Sequence, residues 1–137
     1  MTNQAGANPI VLFVCEHGAA KSVLAAELLQ RRISELDLPI EINAAGIDPS
    51  EAIPDSVVGL LPERAWELRT RRPRRVTEQD VDAATITITF NVAEATLPAS
   101  PAARLAWDDV PPVSEDPIAA RAAIERHIEQ LVERLRA

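Results

Sequence analysis

The chain has 137 residues, 47% hydrophobic and 26% charged, a composition typical of one soluble globular domain with its own core. The net charge of −7 argues against a nucleic-acid or anionic-membrane partner, and no apolar run approaches the ~20 residues of a spanning helix. The single cysteine cannot form an internal disulfide, and the cysteine and two histidines lack metal-site spacing, so no metal or cofactor is expected. Residues 1–8 do not read as a signal peptide, so we expect a disordered lead, one domain over 9–137 and a cytoplasmic location.

Strand and helix patterns alternate along the chain, which predicts a parallel sheet with right-handed crossovers. Continuous aliphatic or alternating runs indicate strands, and apolar residues at helical spacing indicate helices. Strands are predicted over residues 9–15, 40–44, 85–90 and 104–107. Helices are predicted over 21–36, over 55–68 with a break near Gly59 or Pro62, over 78–83 capped by Thr77, as one turn within 92–97, and from Pro117 onward with Ser114 or Asp116 as cap.

The segment after Cys15 suits an anion-binding loop. Cys15 ends the first strand, and ligands of such sheets bind at the carboxyl ends of strands. Backbone N–H groups and the dipole of the following helix attract an anion, which a cysteine thiolate can attack. The predicted nucleophile is therefore Cys15, and the predicted anion-binding residues are Glu16, His17, Gly18, Ala19, Ala20, Lys21 and Ser22.

This segment, Cys-Glu-His-Gly-Ala-Ala-Lys-Ser, resembles the phosphate-binding loop of low-molecular-weight protein tyrosine phosphatases and the related arsenate reductases. That loop reads cysteine, five residues, arginine, serine. Residues 43–49, 72–84 and 107–112 and the last helix are similar to family segments in the same order, so the resemblance covers residues 9–136. It implies a four-stranded parallel sheet with helices on both faces.

The resemblance also implies a mechanism. The cysteine thiolate attacks phosphorus or arsenic while loop amides and a basic side chain hold the oxyanion. The serine, here Ser22, supports the thiolate, and an aspartate protonates the leaving oxygen. Water or a thiol then resolves the covalent intermediate.

Two site residues depart from the family pattern. Lys21 replaces the arginine, so the charge is kept but the planar fork that holds two oxygens becomes a point charge, which weakens transition-state stabilisation. The family's aspartate-proline pair is displaced. Asp109 is favoured over Asp108 as the general acid, and Asp116 is read as a helix cap.

Other residue types narrow the substrate. The chain has no tyrosine, and Phe90, Trp66 and Trp107 are expected in the core, which argues against a dedicated phosphotyrosine site. The two further cysteines of disulfide-cascade arsenate reductases are absent, so a reductase would need an external thiol.

The remaining polar residues have several interpretations. His17 reads equally as a loop filler, a neighbour of the thiolate or a proton donor. Glu16 is expected to face solvent, Gly18 to take a positive φ, and His127 to be exposed. The arginines between 69 and 75 are expected to form a solvated loop, with steering of an anionic substrate as the alternative.

Three functional hypotheses follow from these residues. The first is hydrolysis of a phosphomonoester, phosphotyrosine among the candidates, through a phosphocysteine on Cys15, with Lys21 binding the oxyanion and Asp109 as acid. The second is arsenate reduction with an external thiol as partner. The third is an oxyanion-binding module that has lost catalysis.

Overall fold

The strands and helices follow the predicted order. A computed structural model describes residues 8–136, so nearly all of the expected disordered lead, residues 1–8, lies outside the described residues. The strands are β1 (Ile10–Cys15), β2 (Glu41–Gly46), β3 (Ile86–Thr89) and β4 (Ala103–Ala106). The helices are α1 (Lys21–Leu36), α2 (Asp55–Val58), α3 (Ala65–Thr70), α4 (Glu78–Ala83) and α5 (Pro117–Arg136), with 3₁₀ turns at Pro62–Arg64 and Glu94–Thr96.

The four strands form one parallel sheet in the order β2-β1-β3-β4. Because β1 has a strand on each side and helices above and below, Val11 to Cys15 are all buried. The strand order reverses beside β1, the place where ligands bind in such sheets. The predicted four-stranded parallel sheet with helices on both faces is confirmed, and it puts Cys15 at the carboxyl edge next to this switch point.

Side chains of β1 alternate between two cores. Phe13 lies in the larger core, where α1 and α5 pack on one face of the sheet with side chains such as Leu24 and Ile124. Leu12 and Val14 face the smaller core on the opposite side, together with Val81 of α4. Packing on both faces explains why the sequence of β1 is continuously apolar rather than alternating.

Local sequence signals fix several helix ends. The predicted helix over 55–68 breaks, as expected, between α2 and the 3₁₀ turn that Pro62 begins. Thr77 Oγ1 accepts a hydrogen bond from Asp80 N at 3.1 Å while Asp80 Oδ2 accepts one from Thr77 N at 2.9 Å, a complete capping box. Asp116 caps α5, since its Oδ1 accepts a hydrogen bond from Ala119 N at 3.1 Å.

Two expectations about burial are wrong. Trp66 is 74% exposed, because the short helix α3 turns Leu68 rather than Trp66 toward the core. His127 is only partly exposed, because its ring stacks on buried Trp107 with centroids 4.6 Å apart and planes 11° from parallel.

Arginines of the segment 69–75, predicted to form a solvated loop, make ion pairs with other parts of the fold. Arg71 and Arg64 both bind the carboxylate of Glu27, at 2.8 Å and 2.7 Å, and Arg74 binds Asp80. Burial alone raises the pKa of Glu27, but the hydrogen bonds from the two guanidinium groups outweigh it and the net pKa is lowered. These arginines hold residues 64–74 against α1 and α4.

None of the helices in residues 8–136 is both long enough and apolar enough to cross a membrane.

Candidate active site

The loop of residues 16–20 joins β1 to α1 and is held by the segment after β2. Ile47 N, Asp48 N and Ser50 N donate to the carbonyl oxygens of residues 15, 16 and 17, at 3.2, 2.7 and 3.1 Å. Within residues 8–136, none of the amide N–H groups of residues 16–20 donates to a backbone carbonyl. A run of unpaired amides at the start of α1 is the donor set that binds an oxyanion.

Two glycines bring the loop against the end of β2. Gly18 has φ +59°, as expected from the sequence, and lies against the backbone of Gly46. A Cβ atom on Gly18 would lie 2.6 Å from Gly46 N, and one on Gly46 would lie 2.4 Å from Gly18 N. Both positions therefore require glycine, Gly18 also for its backbone conformation.

Cys15 lines a cleft of about 380 Å³, which we call the Cys15 cleft. Its Sγ is 3.0 Å from Oγ of Ser22, which is completely buried. When the sulfur is a thiolate, Ser22 is the donor, since a thiolate can only accept. Cys15 as a whole is 6% exposed, and it lines the cleft.

The Cys15 cleft has apolar walls and a polar rim. Pro54, Phe90, Pro112 and Val113 supply the apolar surface. The polar residues of the cleft are Glu16, His17, Lys21, Ser56, Asn91 and Ser114. An apolar wall beside an anion-binding loop suits a small organic group attached to an oxyanion.

Lys21 lines the cleft with most of its hydrogen-bonding capacity in use. Its Nζ donates to Asn91 Oδ1 at 2.8 Å and to the carbonyl oxygen of Val110 at 2.6 Å. An ammonium group has three N–H donors, so one remains for an anion. Burial lowers the pKa of Lys21, and the negative charges of Cys15 and Asp108 oppose part of that effect.

Asn91 fixes the position of Lys21 and is a site residue that the sequence analysis missed. It adopts φ +56°, its N donates to Asp108 Oδ1 at 2.7 Å, and its Nδ2 donates to Asp108 O at 3.3 Å. The signal that points to it is an asparagine at the carboxyl end of a central strand, since asparagine tolerates the left-handed conformation. Asp108 thus supports Asn91, which in turn supports Lys21.

Asp109 is held away from this arrangement. Its Oδ1 is 2.7 Å from Nε2 of His127 on α5. The hydrogen bond from His127 holds the pKa of Asp109 below its ordinary value, although desolvation opposes the shift. Among the described residues that line the Cys15 cleft, none is an aspartate.

The predicted site residues therefore separate into two groups. Cys15, Glu16, His17, Ala20 and Lys21 line one cleft. Gly18 packs against Gly46, Ser22 contacts the sulfur of Cys15, and Ala19 is buried in the same loop. Asp109, in contrast, is not among the residues that line the cleft, and it pairs with His127.

Comparison with known proteins gives a consistent result. Residues 10–104 match the family described as low molecular weight phosphotyrosine protein phosphatase. A search of curated proteins by sequence found no significant match.

Solved structures show the same fold. A thioredoxin-dependent arsenate reductase from Corynebacterium glutamicum is 25% identical with a TM-score of 0.77; the match covers 96% of this chain but 64% of that one. YfkJ from Bacillus subtilis is 19% identical with a TM-score of 0.81 and 96% of each chain covered. A low molecular weight protein tyrosine phosphatase from T. tengcongensis is 18% identical with a TM-score of 0.71, covering 93% of this chain and 99% of that one.

The family match spans more than half of the chain, and the fold and the cysteine loop agree with it. The resemblance inferred from the loop motif is therefore confirmed. This chain belongs to the low molecular weight phosphotyrosine protein phosphatase family, whose fold and cysteine loop support a cysteine-based phosphatase or arsenate reductase.

Proposed function

We propose that the chain is a phosphatase that hydrolyses small phosphomonoesters through a phosphocysteine on Cys15. The observation that carries this proposal is the Cys15 cleft itself. A reachable sulfur beside a buried serine hydroxyl, a run of unpaired amides and an apolar wall occur together in it. Arsenate has no organic group to place against Pro54, Phe90, Pro112 and Val113, whereas a phosphomonoester has one.

The first step forms the Cys15 Sγ–P bond and breaks the ester P–O bond, and the leaving oxygen takes a proton. Loop amides bind the equatorial oxygens, and Lys21 contributes its remaining N–H donor. Ser22 Oγ–H stabilises the thiolate before attack and after release. In the second step water attacks phosphorus and gives up a proton, the S–P bond breaks, phosphate is released and the Cys15 thiolate is restored.

The amides take a larger share of oxyanion binding here than in a loop with arginine. Lys21 donates two of its three N–H groups to Asn91 and Val110, so it cannot bind two substrate oxygens as a guanidinium does. We therefore expect slow turnover with retained phosphate binding.

The test is hydrolysis of 4-nitrophenyl phosphate by the wild-type protein and by the C15A variant. The proposal predicts turnover by the wild type, product inhibition by phosphate and no turnover by C15A. Activity that survives in C15A would exclude Cys15 as nucleophile. Phosphate binding without turnover in the wild type would instead support the non-catalytic module.

Arsenate reduction is the second candidate, favoured by the 25% identity to the Corynebacterium glutamicum enzyme and by the absence of an aspartate among the described residues of the cleft. Cys15 Sγ would displace an arsenate oxygen as water. The sulfur of an external low-molecular-weight thiol would then attack Cys15 Sγ. The S–As electron pair passes to arsenic, which leaves as arsenite, and the two sulfurs form a mixed disulfide that a further thiol reduces. Arsenite formation that depends on added thiol identifies this activity.

A further inference from the structure

We propose that His17 is the proton donor to the leaving oxygen, in the role that the family assigns to an aspartate. The inference rests on the proposed phosphatase function and names the acid of that same site. His17 lies two residues after the nucleophile and lines the Cys15 cleft together with it.

The hydrogen bond of His17 fixes its tautomer. Nδ1 of His17 is 2.9 Å from the carbonyl oxygen of Asp48. A carbonyl oxygen only accepts, so Nδ1 carries a hydrogen and donates it. The proton that the imidazole gains and loses is therefore on Nε2, and the ring is oriented by a backbone group as in other acid–base histidines.

Two carboxylates lie close to the imidazole ring of His17. One ring nitrogen of His17 lies within 4.8 Å of carboxylate oxygens of both Glu16 and Asp48. The other titratable groups at the cleft are Cys15 on β1 and Lys21 on α1, and the Lys21 ammonium is held by Asn91 and Val110. A charged imidazolium at residue 17 thus faces two carboxylates, while the one lysine of the cleft is tied to other acceptors.

The aspartates that could compete have structural partners. Asp108 Oδ1 accepts from Asn91 N, Asp109 Oδ1 pairs with His127, and Asp116 Oδ1 caps α5. None of the three lines the cleft within residues 8–136. Among the described residues that line the cleft, His17 combines a ring held by the Asp48 carbonyl with a second ring nitrogen, Nε2, that can give a proton to a leaving oxygen.

In the proposed reaction His17 gives one proton in the first step and regains one in the second. As the P–O bond breaks, Nε2–H of His17 gives its proton to the leaving oxygen, and an alcohol departs. Neutral Nε2 next takes a proton from the water that attacks the phosphocysteine. The S–P bond breaks, phosphate leaves, and His17 returns to its protonated form.

Two esters and two variants test this role. 4-Nitrophenol leaves readily without a proton, whereas phenol leaves poorly, so an acid matters for phenyl phosphate and little for 4-nitrophenyl phosphate. H17N keeps an N–H donor for the Asp48 carbonyl but lacks the second ring nitrogen, and H17A removes both. Iodoacetate modification of Cys15 in each variant checks that the nucleophile is still in place.

The proposal predicts that H17N loses about 10²-fold or more in kcat/KM on phenyl phosphate and less than about fivefold on 4-nitrophenyl phosphate. Equal loss on both esters, or H17N behaving as wild type while H17A fails, would show a structural role and overturn the inference. A leaving-group effect in D109N instead of H17N would also overturn it. If the wild type hydrolyses neither ester, the phosphatase proposal fails first and the inference fails with it.

Discussion

The loop that follows Cys15 and the segment of residues 107–116 differ in what their polar residues do. In the loop, residues that are consecutive in sequence converge on one small volume: the sulfur, the serine hydroxyl, the unpaired amides and the lysine. In the 107–116 segment, the three aspartates each serve the fold. They hold Asn91, pair with His127 and cap α5.

The difference shows which half of a catalytic apparatus a short motif can carry. A strand, a tight loop and a helix start place nucleophile and anion donors by local geometry alone. A general acid from a distant segment depends on tertiary partners, and here Trp107 and His127 fix Asp109 elsewhere. We therefore expect variants in the loop to have large effects on chemistry and variants of Asp109 to have small ones.

The largest expected effect is that of C15A. Removing the proposed nucleophile should lower kcat on 4-nitrophenyl phosphate by at least about 10⁴-fold, as nucleophile deletions do elsewhere. Thermal unfolding should show that the variant remains folded. A C15A protein with near wild-type turnover would place the chemistry outside the loop.

The second effect concerns the contact of the loop with β2. G46A puts a methyl group 2.4 Å from Gly18 N, where only backbone can give way, and should lower the free energy of unfolding by about 2–3 kcal/mol. G59A is the matched control, because Gly59 has φ −64° and a Cβ there would approach Asp55 O at 3.3 Å. We expect it to change stability by less than about 1 kcal/mol. Urea unfolding of both variants measures the contrast, which equal effects would contradict.

These contrasts also indicate where sequence reasoning works. The apolar pattern of residues 9–15 predicts β1 and the placement of Cys15, because a strand buried on both faces needs continuous apolar residues. The capping residue Thr77 and the break near Pro62 are equally local.

Features that depend on distant pairs are beyond such reasoning. The Lys21–Asn91 hydrogen bond joins residues 70 apart, and the exposure of Trp66 depends on how the short helix α3 docks. Pairing of Asp109 with His127 joins a loop to the last helix, which no spacing rule reveals. The sequence could therefore predict the anion-binding loop after Cys15, but not the hydrogen-bond partners of Lys21 or of Asp109.

The third effect is on anion affinity. K21Q removes a charged donor at the cleft and should weaken phosphate binding by about ten- to hundredfold, corresponding to about 1.5–3 kcal/mol. Competitive inhibition by phosphate, measured as Ki, reports it. Unchanged Ki would show that the amides alone bind the anion.

Alkaline pH should act in the same direction. The ammonium form of Lys21 is present below its pKa and is lost as pH rises through it. Burial lowers this pKa, so phosphate affinity should fall at a lower pH than the ordinary lysine value of 10.5 suggests. K21R should move the fall to higher pH, because a guanidinium stays protonated. The same fall in both proteins would assign it to another group.

A smaller effect is expected for N91A. It removes one acceptor of Lys21, leaving Val110 O as the remaining contact, and should raise Ki for phosphate by about three- to tenfold. N91D keeps an acceptor and is the matched control, expected to raise the pKa of Lys21 and to keep Lys21 in position. Equal Ki values for N91A and the wild type would contradict a positioning role for Asn91.

The smallest effect is expected for D109N. Asp109 is largely exposed and pairs with His127 at the surface, so its loss should cost less than about 1 kcal/mol of stability. Its kcat/KM on phenyl phosphate should stay within about threefold of the wild type. A loss of a hundredfold or more would restore Asp109 as the acid and reverse the comparison of the two regions.

The most direct test of the central claim is to trap the covalent intermediate. Wild-type protein is mixed with 4-nitrophenyl phosphate, quenched within the first turnover and analysed as peptides by mass spectrometry. A burst of 4-nitrophenolate in proportion to enzyme, with a phosphoryl group on the peptide that contains Cys15, is the predicted result. Turnover with no burst and with phosphate on another residue, or on none, would contradict it.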